Sequence, residues 1–173
     1  MTHDDLEPLP RYAFVPGGPW PHPTGSPWGH AAGRPYAGVA PIAPGDWGRS
    51  KPYLRGIALF NAGYYWEAHE AWEGLWHAHG RKGATADVLK GLIKLAAAGV
   101  KVRERQPHGV VTHARRAAAL FASARAESGA CQLGLNLEQW IAHAQQIADH
   151  PPEDPEPSGV PVSRVFLFQI IPS

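Results

Sequence analysis

The sequence predicts an all-α fold, a compact bundle of about five helical segments, and three observations predict it. Eleven prolines lie at or before Pro52 and six at or after Pro151, with Pro107 alone between them. Proline in a helix interior removes a hydrogen bond and clashes with the preceding turn, so helices belong in the proline-poor middle. That middle is rich in Ala, Leu, Glu and Lys, which favour helix. Its apolar residues also recur at helical spacing. The chain therefore divides into a Pro/Gly/aromatic-rich arm over residues 1–49, a helical domain over 50–150, and an acidic, proline-rich linker with an apolar tail over 151–173. A length of 173 residues suits one core.

The first helix is expected from Lys51 and Pro52, with Ser50 in the capping position and Leu54, Ile57, Ala58 and Leu59 on its apolar face. Gly63 interrupts or bends it. A second runs from about Tyr64 to His79 and stops at Gly80, before the turn Arg81-Lys82-Gly83. The third, from about Thr85 to Arg105, carries Val88, Leu89, Leu92, Ile93, Ala96, Gly99 and Val100 on a wide apolar arc and is the expected central helix. A fourth spans about Val110 to Glu127 and stops near Gly129. The fifth starts at Asn136, with Gln139 three residues on as in a capping box, and ends before Pro151.

The arm cannot form regular helix or a central strand, because its prolines are too closely spaced. It nevertheless carries Tyr12, Phe14, Trp20, Trp28, Tyr36 and Trp47. Leaving such side chains in water forfeits about 1.5–3 kcal/mol each, so the arm is expected to wrap over the helices. Residues 160–171 are apolar and β-branched, which fits either a docked extended tail or an interface strand that joins a second copy into a homo-oligomer.

A formal net charge of +1 and a pI near 8.0 create no strong global field, so neither nucleic acid nor an anionic membrane is demanded. The apolar stretch over residues 91–102 is broken by Lys94 and Lys101 and is shorter than the roughly 20 residues that span a bilayer. A lone Cys131 and the acidic start Met1-Thr2-His3-Asp4-Asp5 favour a cytoplasmic setting.

The chemically loaded segment is the second helix. At about 100° per residue, His69, Trp72, Glu73 and Trp76 form one stripe. Glu70 and His77 sit within about 60° of Glu73, whereas Glu67 points away, towards solvent or another helix. Trp66, Trp72 and Trp76 frame the cluster as its wall. Imidazole nitrogen and carboxylate oxygen one turn apart can reach a single divalent ion such as Zn, Mn or Fe, which makes His69 and Glu73 the candidate metal ligands. Glu70, His77, His22, His30 and His113 are weaker candidates for completing the set. A second chemistry uses Glu70 or Glu73 as a general base, its pKa raised by apolar surroundings. The zinc-protease pattern HExxH is excluded because Glu73 stands where its second histidine belongs. A structural alternative has His69 and Glu73 hydrogen-bonded across one turn.

The residues Phe60-Asn61 and Gly63, then Glu67-Ala68-His69-Glu70, Trp72-Glu73 and Trp76, then Lys90-Gly91-Leu92-Ile93 and Ala96-Ala97-Ala98, are similar to domain-of-unknown-function family 309. These helical bacterial and archaeal proteins are marked by HxxxExxW or HxxxExxY, matched by His69, Glu73 and Trp76. The resemblance covers about residues 53–122. It implies a metal role for His69 and Glu73 but no established activity. Lys94 stands where family members often carry glutamine, and a lysine beside a cation site repels the cation. The arm, with Val15-Pro16-Gly17-Gly18, Pro21-His22-Pro23 and Gly29-His30, resembles an extension seen in some members.

Lys90, Lys94, Lys101 and Arg105 make a basic stripe on the third helix, read as a solvated face. Arg103, Arg115, Arg116 and Arg125 extend it, so weak nucleic-acid or phosphate binding is a secondary alternative. Gly91 and Ala96-Ala97-Ala98-Gly99 read as sites of close helix packing. Taken together, the sequence points to a helical domain whose His/Glu pocket takes a divalent metal or a small polar ligand. If the pocket is enzymatic, metal-assisted hydrolysis is the leading chemistry. The competing class is an interaction or scaffold protein with a purely structural His–Glu pair.

Overall fold

A computed structural model describes residues 7–34, 38–43 and 45–173, so the acidic start and Tyr36 lie outside the described residues. Five helices account for the core: α1 Lys51–Asn61, α2 Tyr65–Ala78, α3 Ala84–Arg103, α4 Pro107–Ser128 and α5 Leu137–Asp149. Each packs chiefly on the next in sequence, so short connections build a run of helical hairpins. The expected stops are present: Gly63, Gly80 and Gly129 all take positive φ just beyond α1, α2 and α4. Asn136 caps α5, its Oδ1 accepting from the Gln139 N–H at 3.3 Å.

α3 is the centre. Val88, Leu89, Leu92, Leu95, Ala96 and Ala98 are all fully buried, an apolar surface running around most of the helix as expected for one enclosed by neighbours. Two glycines set the spacing. A Cβ at Gly91 would stand 2.5 Å from the Phe121 ring, and one at Gly99 would stand 2.6 Å from Tyr65. Close packing is thus their role, as the sequence suggests.

One small element was not foreseen. Cys131–Gln132 (β1) and Leu135–Asn136 (β2) pair antiparallel between α4 and α5. Leu133 and Gly134, both at positive φ, supply the two-residue turn. Tyr53 of α1 donates its hydroxyl to the Leu133 carbonyl at 2.8 Å, which ties this hairpin to the first helix.

The arm and the tail both dock. Ala13 and Ile42 of the arm, and Val165, Phe166 and Ile170 of the tail, belong to the same apolar core cluster as the helices. Residues 160–171 form no strand; they lie extended on the chain's own helices. Asn61 pairs both sides of Ile170, accepting from its N–H at 2.8 Å and donating to its carbonyl at 2.9 Å. Phe166 stacks on Phe60, and Val165 N–H donates to the Tyr65 hydroxyl. The buried ion pair of Arg103 and Asp154 at 2.8 Å fixes the linker, and Ala13 N–H donates to the Pro161 carbonyl to join arm to tail.

The expectation that every arm aromatic is covered fails at Trp28. Tyr12 is buried and Trp20 stacks on it, Phe14 meets Trp66 edge-on, and Trp47 packs on Tyr53. Trp28, however, is 76% exposed. Residues 23–32 close on themselves through the Ala31 N–H to Pro23 carbonyl bond, and the turn leaves this indole outside. Among the described residues no helix is long and apolar enough to cross a membrane.

Candidate functional site

Helix α2 sorts its polar groups onto two faces. Glu67 is buried, 7% exposed, on the face covered by the arm. Its Oε1 accepts from the Phe14 N–H at 2.9 Å and meets His30 Nε2 at 2.9 Å. The His30 ring in turn packs on Tyr12, whose hydroxyl accepts from the His30 N–H and donates to the Pro21 carbonyl. Glu67 therefore faces the arm, and not the solvent or second helix that its helical phase suggests. Its Oε2 has no partner among the described residues. The buried His–Glu pair of this protein is His30–Glu67, and it joins arm to bundle.

The other face carries His69, Glu70 and Glu73. One ligand atom from each falls within 4.8 Å of the other two. His69 Nδ1 bonds Glu70 Oε1 at 3.1 Å, between neighbours in sequence, and no His69–Glu73 hydrogen bond forms across the turn. The side chains are 27% and 48% exposed, so this cluster opens to water. Ligand atoms about 2.0–2.2 Å from a shared ion lie at most about 4.4 Å apart, so small side-chain rotations bring these three into range.

The tryptophan wall divides. Trp72 is fully buried against α1, its Nε1 donating to the Tyr53 carbonyl at 3.2 Å. Gly56 makes this possible, because a Cβ there would stand 2.2 Å from Trp72 Nε1. The indole thus turns from the His69–Glu73 stripe into the core. Trp66 packs against Phe14 and His22 under the arm. Trp76 borders the exposed cluster, with Lys90 Nζ 3.5 Å from its ring centroid and the Arg81 guanidinium at 5.7 Å.

The remaining histidines scatter. His22 is held by its own turn, Nδ1 accepting from the Gly25 N–H at 2.9 Å. His30 is committed to Glu67, and His77 packs edge-on against Trp76. His22, His30, His77 and His113 do not join the three-residue cluster. His113 of α4 lies nearer, half-buried, its pKa pushed down to about 4 by burial and then by the positive charges of Lys94, Lys101 and Arg116 and by His69. Lys94 is likewise held below the usual lysine range, first by burial, then by Lys90 and Arg116, with Glu73 opposing. The stripe read as a solvated face is thus partly enclosed between α2 and α4. Sequence reasoning missed this because helical phase gives a residue's direction but not the neighbour it meets.

A protein-family model described as a domain of unknown function (DUF309) matches residues 53–113. Over those residues the chain is similar to that family. The DUF309 segment takes in most of α1, all of α2 and α3, and the first turns of α4. His69, Glu70, Glu73, Lys94 and His113 all fall inside it, whereas His30, the tail and α5 lie outside. No curated protein and no solved structure matches the chain.

Proposed function

We propose that this chain binds a divalent metal ion through His69, Glu70 and Glu73. The supporting observation is the convergence of one imidazole nitrogen and two carboxylate oxygens, within 4.8 Å, on an open face of α2. Nitrogen and carboxylate donors suit Zn, Mn or Fe(II). Three ligands from one helix leave coordination positions open, as Lewis-acid chemistry on a bound water or carbonyl requires. Metal-assisted hydrolysis is the reaction class this arrangement fits. The half-buried ammonium of Lys94 works against the cation, so an affinity weaker than that of a closed structural site is expected.

Elemental mass spectrometry of the full chain, reconstituted with Zn, Mn and Fe(II), tests the reading beside His69→Ala and Glu73→Ala. Both variants remove partly exposed side chains and should keep their helices by circular dichroism. Near one equivalent of metal in the parent and none in either folded variant supports the site. A parent that takes up no metal ends it.

A further inference from the structure

A cavity of about 300 Å³ lies where three segments meet: the arm turn over residues 15–20, residues 103–106 at the end of α3, and Asp154 with residues 158–160 of the linker and tail. Direct contacts bring these segments together. Arg103 Nη2 donates to the Val160 carbonyl at 2.7 Å, Arg103 Nε pairs with Asp154 at 2.8 Å, and a Cβ on Gly159 would stand 3.8 Å from Pro19 Cγ. Two residues of the wall carry buried N–H donors with no partner among the described residues, Trp20 Nε1 and Arg103 Nη1. The Arg103 side chain is 6% exposed. The carboxylates of the same wall are already engaged. Asp154 takes Arg103, the Ser163 hydroxyl at 2.6 Å and the Glu156 N–H at 3.1 Å, and Glu104 pairs with Lys101 at 2.7 Å.

The unspent capacity is therefore all donor, and buried donors call for an acceptor. A water's share of liquid volume is about 30 Å³, so the room exceeds what one bridging water needs. Charge sorts the larger occupants. Asp154 already neutralises Arg103, Lys101 neutralises Glu104, and the carbonyl end of α3 opposes a further anion. Arg105, the remaining ion of the wall, is exposed and reaches the Glu156 carbonyl. Val15, Pro16, Pro19 and Val160 supply apolar surface. We propose that this cavity binds a small neutral amide with an apolar body, whose carbonyl oxygen supplies the acceptor that Trp20 Nε1 and Arg103 Nη1 lack. Neither nitrogen is open to water, so binding moves the arm turn aside. That turn closes on itself through the Gly18 N–H to Val15 carbonyl bond at 3.0 Å, and a Cβ on Gly17 would meet nothing within 4 Å. The arm and linker walls lie outside residues 53–113, so this site belongs to the extensions and is independent of the metal reading.

The test is titration of the isotope-labelled full chain with benzamide, with the tryptophan indole N–H resonances followed by NMR. Trp20→Phe identifies the Trp20 resonance, keeping a ring against Tyr12 while removing the donor. A saturable shift that is largest at Trp20 is expected in the parent. Calorimetry should find benzamide bound about threefold to tenfold more weakly by Trp20→Phe. Benzoate, alike in shape but charged, should bind more weakly than benzamide. A Trp20 resonance unmoved up to the solubility limit of benzamide leaves water as the only occupant and overturns the site. Equal affinity in folded Trp20→Phe overturns it too, as does benzoate bound as tightly as benzamide.

Discussion

Glu67 and Glu73 lie six positions apart on α2, about 120° round the helix, and the surroundings assign them different work. Glu67 is held by a backbone N–H and His30 in a buried clamp. Removing the acceptor of two part-buried hydrogen bonds leaves their donors unsatisfied, at about 1–3 kcal/mol each. Glu67→Ala is therefore expected to free the arm: limited proteolysis should cut between Phe14 and His30 in the variant long before the parent. Gly56 gives a second residue-scale prediction. Gly56→Ala drives a methyl into the Trp72 indole and should lower stability by about 1–3 kcal/mol, read as a lower urea midpoint with unchanged slope. The sequence placed Glu67 and Glu73 on different faces correctly. What it lacked was the register of a proline-rich arm on a helix, since such a segment has no periodicity to align.

At the scale of elements, the arm and tail are each held by a histidine that must stay neutral. His79 Nε2 accepts from the Ile42 N–H at 2.9 Å, and His143 stacks on Phe168 at 4.5 Å. Burial holds both imidazoles below the ordinary value of 6.5. The unfolded chain therefore takes up protons first as pH falls, so their contribution is complete above about 6.5 and declines below it. Thermal melts should shift down between about pH 7 and 5, and His143→Phe should reduce that dependence while leaving the part due to His79 and His113. The helices were the legible elements, since glycine, proline and capping signals mark their ends. The hairpin at residues 131–136 was not, because two-residue strands are too short to show alternation.

For the whole molecule, the two extensions complete a core that the helices alone leave open. Val165, Phe166 and Ile170 are buried on α1 and α2, and each such side chain contributes about 1.5–3 kcal/mol. Against total stabilities of about 5–15 kcal/mol, ending the chain after Ser158 should abolish a cooperative melt or lower the Tm by more than about 10 °C. An unchanged melt would remove the tail from the core. The fold class followed from proline distribution and helical spacing, which are properties of the chain itself. The polar groups of α2 were only half legible, because His69, Glu70 and Glu73 share one helix, whereas the arm residues that hold Glu67 reach it only through tertiary packing. The two roles assigned to α2 can be separated in one experiment, titration of Mn(II) followed by electron paramagnetic resonance with Glu73→Gln and Glu67→Gln beside the parent. Retained binding in the parent and in folded Glu67→Gln, with loss in Glu73→Gln, is the predicted result. Binding that persists in Glu73→Gln, or is absent from the parent, would contradict it.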